Sequence, residues 1–204
     1  MTRVFAAFFA AFLWLTPNLS EAGDISGTVD RLIGTAVATS DNIDRPLGRG
    51  AVIFVGDRVA TGAKTRLRLR MINGATITLG DNSAIVIEAT EREKGGSSIL
   101  RSLRGVLLAV TAALTPSDKE AMTIKTSEAV LGIRGTTVWL QQETGHIGAI
   151  MLSGSSVVVQ SPLGTVELST PLAGTDVFAG KPPTTPKQWG QKRIDKANRS
   201  VAFE

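Results

Sequence analysis

Of the residues able to carry chemistry, Arg134 is the most sharply placed, between Ile133 and Gly135 in the run TSEAVLGIRGTTVWL at residues 126–140. A guanidinium there has two uses. It can hydrogen-bond nearby carbonyls or a carboxylate and lock the glycine corner, or it can meet a partner as an exposed contact. Arg66, Arg68 and Arg70 alternate along one stretch, with Lys64 and Arg58 close by. Such a stripe is either a solvated face that discourages edge-to-edge strand pairing or an anion-binding surface for glycan, lipid headgroup or acidic protein. Asp57 and Asp81 sit in glycine corners, where a carboxylate ordinarily caps the turn backbone. Calcium would require a glycine-rich calcium repeat, which the sequence lacks. His146 is the single histidine, with no cysteine and no second histidine to share a metal or a proton relay. No triad, metal cluster or phosphate loop is present, so no catalytic, cofactor-binding or metal-binding residue is assigned and an enzyme is disfavoured.

The elements that must position these residues read as short strands between glycine corners. Leu67, Leu69 and Met71 alternate with the three arginines, a period of two that predicts a half-buried strand over residues 65–72. Asn73-Gly74 follows, a dipeptide suited to a two-residue hairpin turn, and Ala75, Ile77 and Leu79 alternate beyond it. Further strands are expected at 25–29, 35–39, 51–55, 84–88, 147–152, 156–160, 165–168 and 175–178, with a polar loop at 40–50 and a turn at 153–155. Residues 99–114 fit both a helix and a buried strand. Gly105 favours the strand, because glycine costs a helix interior about 1 kcal/mol relative to alanine. Gly56-Asp57 and Gly80-Asp81 recur 24 residues apart, a spacing that suits either solenoid coils or a meander of hairpins. Trp139 is expected in the core. The fold class is therefore all-β, with solenoid-like or coiled short strands in antiparallel or parallel pairing. A short C-terminal helix follows, placing Ile194, Ala197 and Val201 on one face.

Residues 1–22 show Arg3, an apolar run at 4–15, Pro17, and small residues at Ser20 and Ala22, the pattern of a secretory signal peptide cleaved after Ala22. The apolar run is about half the roughly 20 residues of a membrane-spanning helix, so no transmembrane segment is expected in the mature chain. Removal of Arg3 and Glu21 together leaves the net charge at +4. The absence of cysteine excludes disulfides, thiolate metal sites and a lipid-bearing cysteine, and is compatible with a periplasmic or secreted chain. Export and the lack of a basic-aromatic motif argue against nucleic acid. The expected organisation is a signal peptide at 1–22, a β domain at 23–180, a Pro-rich linker at 181–186 and a basic tail at 187–204.

The order of these pieces resembles the FecR-type periplasmic domain. The carriers are Gly27-Thr28-Val29, the corner from Gly56 and Asp57 to Gly62, the strand pair around Asn73-Gly74, then Arg104-Gly105-Val106 and Ile133-Arg134-Gly135-Thr136. The resemblance implies a periplasmic all-β domain that works by protein contact, with an envelope protein as partner and with Gly56, Asp57, Gly62, Asn73, Gly74, Gly105, Arg134, Gly135 and Thr136 as mainly structural motif residues. The regulators of that family carry a cytoplasmic anti-sigma segment and a membrane helix ahead of the domain, whereas this sequence opens on a cleavable leader. The alternative is a binder of an anionic envelope polymer through Arg66, Arg68 and Arg70.

Overall fold

The computed structural model describes residues 23–90, 97–111 and 122–203. The leader with its cleavage point, most of the charged loop at 91–98 and the Pro116 loop lie outside the described residues.

The chain forms one open, hydrogen-bonded array of 15 strands, folded so that both halves contribute to a single apolar core. One layer is built around β1 (Ile25–Ile33), β4 (Val52–Phe54), β6 (Arg66–Met71) and β7 (Thr76–Leu79). The other is built around β2 (Ala36–Ser40), β3 (Ile43–Pro46), β5 (Arg58–Thr61) and β8 (Ala84–Thr90). Three long strands join the layers: β9 (Ser98–Val110), β11 (Val130–Glu143) and β12 (His146–Ser161). The first half of β9 lies between β8 and β10 (Met122–Lys125), and its second half lies between β7 and β11. Likewise β12 pairs with β14 (Ala173–Phe178) in its first half and with β13 (Gly164–Leu168) in its second. Among the described residues every ladder is antiparallel except β9–β10. In that pair the chain comes round to lie parallel to itself, as in a solenoid coil.

Period-two burial explains the core. Leu67, Leu69, Leu107, Leu140 and Ile147 point inward from one layer, while Ile87, Leu100, Ile124, Leu131 and Val157 point inward from the other. The expected strand at residues 99–114 is β9, and the glycine that disfavoured a helix is where it changes layer, at φ +85°. Three expectations change. The turn at 153–155 is a bend inside the continuous strand β12, made possible by Gly154 at φ +112°. The polar loop at 40–50 contains β3, an edge strand whose Ile43 is 72% exposed and which hydrophobic patterning therefore could not reveal. The β6–β7 hairpin forms, but its turn is longer than two residues. Gly74 N–H bonds Met71 O (3.0 Å) and Met71 N–H bonds Ala75 O (2.9 Å), with Gly74 at φ +89°. This is a three-residue loop closed by a glycine bulge.

The outer face of the first layer carries a second apolar cluster. Trp139, Ile150, Val106 and Leu108 are covered by Trp189 and by α1 (Gln191–Val201), which buries Ile194, Ala197 and Val201. At 11 residues, with no side-chain N-cap bond, α1 is below the roughly 12–15 residues at which an isolated helix holds in water. Its docking must therefore stabilise it. Trp139 Nε1–H donates to Ser200 Oγ (2.9 Å), and the two tryptophans meet edge to face at 5.9 Å. Ahead of the helix, Pro183 is buried, Thr184 Oγ accepts Asp176 N–H, and β15 (Lys187–Gln188) pairs with β14.

Candidate functional site

Most of the residues singled out by sequence hold the fold's corners. At the β11 corner Gly135 lies at φ +57°, and Thr136 N–H bonds Thr111 Oγ1 (3.0 Å) while Thr136 Oγ1 donates to the Arg134 and Ser156 carbonyls. Gly154 crosses so near that a Cβ on it would stand 2.4 Å from Gly135 O. Arg134 itself is half-buried at this corner. Asp57 is fully buried, and its Oδ2 accepts Phe54 N–H (2.8 Å) and Arg45 NH2 (2.7 Å), closing the turn at Gly56. Asp81, in the recurring corner, instead faces Arg66 on the surface at 3.5 Å, so the two carboxylates do different work. Gly62 packs where a Cβ would meet Thr35 Oγ1 at 2.6 Å. Asn73 is buried, accepting Ala75 N–H and donating to Ser98 Oγ.

The arginine stripe is engaged within the fold. Arg66 donates to the Arg199 carbonyl (3.2 Å), at the helix C-terminus where the macrodipole is negative. Arg68 stacks on Phe203 at 4.8 Å, with Arg31 on the same ring at 4.7 Å, and Arg70 pairs with Asp30 at 3.2 Å.

A cluster that no local sequence signal marks joins β12, β14 and α1. Asp176 accepts both terminal nitrogens of Arg193, whose guanidinium lies 3.3 Å from the Trp189 ring centroid, and meets His146 Nε2 at 3.0 Å. Burial pushes the Asp176 carboxyl up, but the hydrogen bonds from Arg193 and then His146 outweigh it and hold the group below the ordinary 3.8. A depressed folded-state pKa gives stability that is present above the unfolded value and lost as pH falls through the folded one. Acidification below about pH 4 is therefore expected to weaken helix docking. Near-ultraviolet circular dichroism of the tryptophan pair should fade with acid in the wild type. In Asp176→Asn it should already be reduced at pH 7 and change less on acidification; identical titrations would refute the assignment. The cluster is a clasp for α1, and among the described residues no group of His, Cys, Asp or Glu is placed to hold a metal ion.

A concave surface lies at the end of β10. Two adjoining clefts, of about 450 and 390 Å³, share Thr126, Ser127 and Val130. The first is walled by Arg101, Ser102 and Leu103 of β9, by Lys125, and by Gln142 of β11. The turn between the clefts is rigid, because Thr126 Oγ1 accepts Glu128 N–H and Ala129 N–H and donates to Ala129 O. Arg101 and Lys125 both reach Glu88, whose carboxyl is held below its usual range by the Lys125 hydrogen bond and then by Arg101. Exposed apolar side chains border the cleft at Val130 (41%) and Leu103 (37%). Sequence reading marked the family motif around Arg134 and passed over this site, because its residues come from three separated segments. The polar donors, exposed apolar edges and rigid turn suit it to contact with another chain.

Set beside known proteins, residues 57–156 match the FecR protein family. Over that span the chain is FecR-like. The span takes in the Asp57 corner, the layer-crossing glycines and the first cleft. No curated protein sequence matches the chain. Two crystal structures of a candidate anti-sigma factor from Parabacteroides distasonis share the fold, with TM-scores of 0.54 and 0.53 at 12% and 13% identity. Each alignment covers 68% of this chain and 62% of the other.

Proposed function

We propose that this FecR-like chain is a non-catalytic sensing or interaction module of the cell envelope, exported to the periplasm and presenting a β surface to an envelope protein. The observation that carries this reading is the FecR match over a scaffold whose motif residues hold corners, leaving an exposed cleft beside them. The shared fold with a candidate anti-sigma factor supports a signalling context. No helix among the described residues is long and apolar enough to cross a membrane, and the leader pattern at 1–22 supports export. The internal contacts of Arg66, Arg68 and Arg70 favour a protein partner over an anionic polymer.

The test is to express the full chain with a C-terminal tag, fractionate the cells, sequence the mature N-terminus and crosslink the periplasm. A mature chain starting at Gly23, crosslinked to one stoichiometric envelope protein, is expected. Retention in the cytoplasm, or recovery of polymer alone, would overturn the reading.

A further inference from the structure

The first cleft coincides with a gap in the β ladder. On one side of β9, β8 runs the whole way, with Ile85 opposite Ser102 and Ala84 opposite Arg104. On the other side β10 ends where Lys125 lies opposite Arg101, and β11 begins pairing only where Gln142 lies opposite Gly105. Residues 102–104 therefore have no registered neighbour on that side among the described residues. At about 3.3 Å per residue the opening is about 10 Å long, room for roughly three residues of extended chain.

A second observation points into the same gap. Gln142 is only 5% exposed and lines the cleft; its Nε2 donates to Ser127 Oγ (3.0 Å), while Oε1 has no partner among the described residues. A buried carbonyl without a donor is costly, and an incoming backbone N–H is the kind of group that satisfies it. Charge supplies the third constraint. Arg101 and Lys125 at the rim have side chains 57% and 43% exposed and share one carboxylate, Glu88, so they retain a net positive charge and free N–H capacity. Val130 and Leu103 offer an apolar contact beside it.

The geometry points to a strand-addition site: a short, extended, acidic segment of the partner protein lies along residues 102–104, continuing the line of β10. Its backbone pairs with β9 and reaches Gln142, its carboxylate meets Arg101 and Lys125, and an alternate apolar side chain rests on Leu103 and Val130. Main-chain pairing of this kind supplies affinity, and the flanking side chains supply selectivity. The assignment rests on the protein-contact reading above and names the chemistry of that partner.

The test uses the mature chain and two synthetic peptides of about nine residues with the same Val/Thr content, one carrying Glu and the other Lys at alternate positions. Nuclear magnetic resonance should show the Glu peptide shifting and protecting the amides of residues 102–104 and shifting the Gln142 side-chain amide. The Lys peptide and free succinate should leave them unmoved. Leu103→Asp, at an exposed position, should weaken binding about tenfold with unchanged melting temperature, and Lys125→Glu, which also sets a second carboxylate beside Glu88, should weaken it at least as much with a lowered melting temperature. Equal binding of both peptides, an equal effect of succinate, shifts confined to another surface, or no shift at all would overturn the proposal. These results are separable from the function reading. If an envelope protein is crosslinked but the Glu peptide leaves residues 102–104 unmoved, this assignment alone falls; if no protein is crosslinked, the broader reading falls.

Discussion

Gly105→Ala should destabilise the protein by about 2–5 kcal/mol, the sum of left-handed backbone strain and forced overpacking. Gly105 lies at φ +85°, and a Cβ there would stand 2.4 Å from Ser83 Oγ and 2.6 Å from Ser83 Cα. The second distance is to backbone, so no side-chain rotation can relieve it. Ser83 is fixed in turn, because its Oγ accepts Val106 N–H (2.8 Å) and its N–H bonds Thr61 Oγ1 (2.9 Å). The corner at which β9 changes layer is thus clamped between β8 and the layer-crossing backbone. Gly74→Ala is the control, since Gly74 has a similar φ of +89° but open space within 4 Å. It should cost only the backbone strain, about 1–2 kcal/mol. Urea denaturation of both variants checks the account: a Gly105 variant no less stable than the Gly74 variant would show that close approach does not hold the corner.

Asp57→Ala should cost about 2–4 kcal/mol, because it removes a fully buried acceptor that serves both the Phe54 N–H and the Arg45 guanidinium. Arg45 also donates to Val52 O (2.6 Å) and lies 5.1 Å over the Phe54 ring, so one carboxylate organises β3, β4 and the Gly56 turn. The loss should stay near the lower end of the range for broken buried pairs, since the Arg45 side chain is 38% exposed and can turn to water. In Asp57→Asn the amide oxygen can keep the Phe54 bond. Its NH₂ then takes the place of Oδ1, which has no partner among the described residues, so an intermediate loss is expected. A double-mutant cycle with Arg45→Ala should give a coupling of about 1–2 kcal/mol. A coupling near zero would mean that the turn bond alone accounts for Asp57.

The elements with a clear period were legible in the sequence. The alternation of Leu67, Leu69 and Met71 with arginines gave β6, and Ile194, Ala197 and Val201 gave the buried face of α1. Corners were legible as glycines, but what each glycine does was not. Gly154 looks like a turn residue, yet it bends one continuous strand because Gly135 O and Thr136 Cα press against it from β11. The Asn73-Gly74 hairpin was legible in kind, while its loop length was decided by the type of turn that Met71 closes. Side-chain assemblies across distant segments left no local trace. Asp176 and Arg193 meet only because α1 packs on β12 and β14, and the cleft exists because β10 stops at Lys125 while β9 runs on.

The claim at the centre of this account is that the FecR-like domain works by protein contact at the end of β10. In-cell photo-crosslinking tests it most directly, with a photoreactive residue at Leu103 in one strain and at Lys196, on the exposed side of α1, in another. The account predicts one discrete protein adduct from position 103 that disappears when Lys125→Glu is added, and none from position 196. An adduct from 196 alone, or one at 103 indifferent to Lys125, would contradict it.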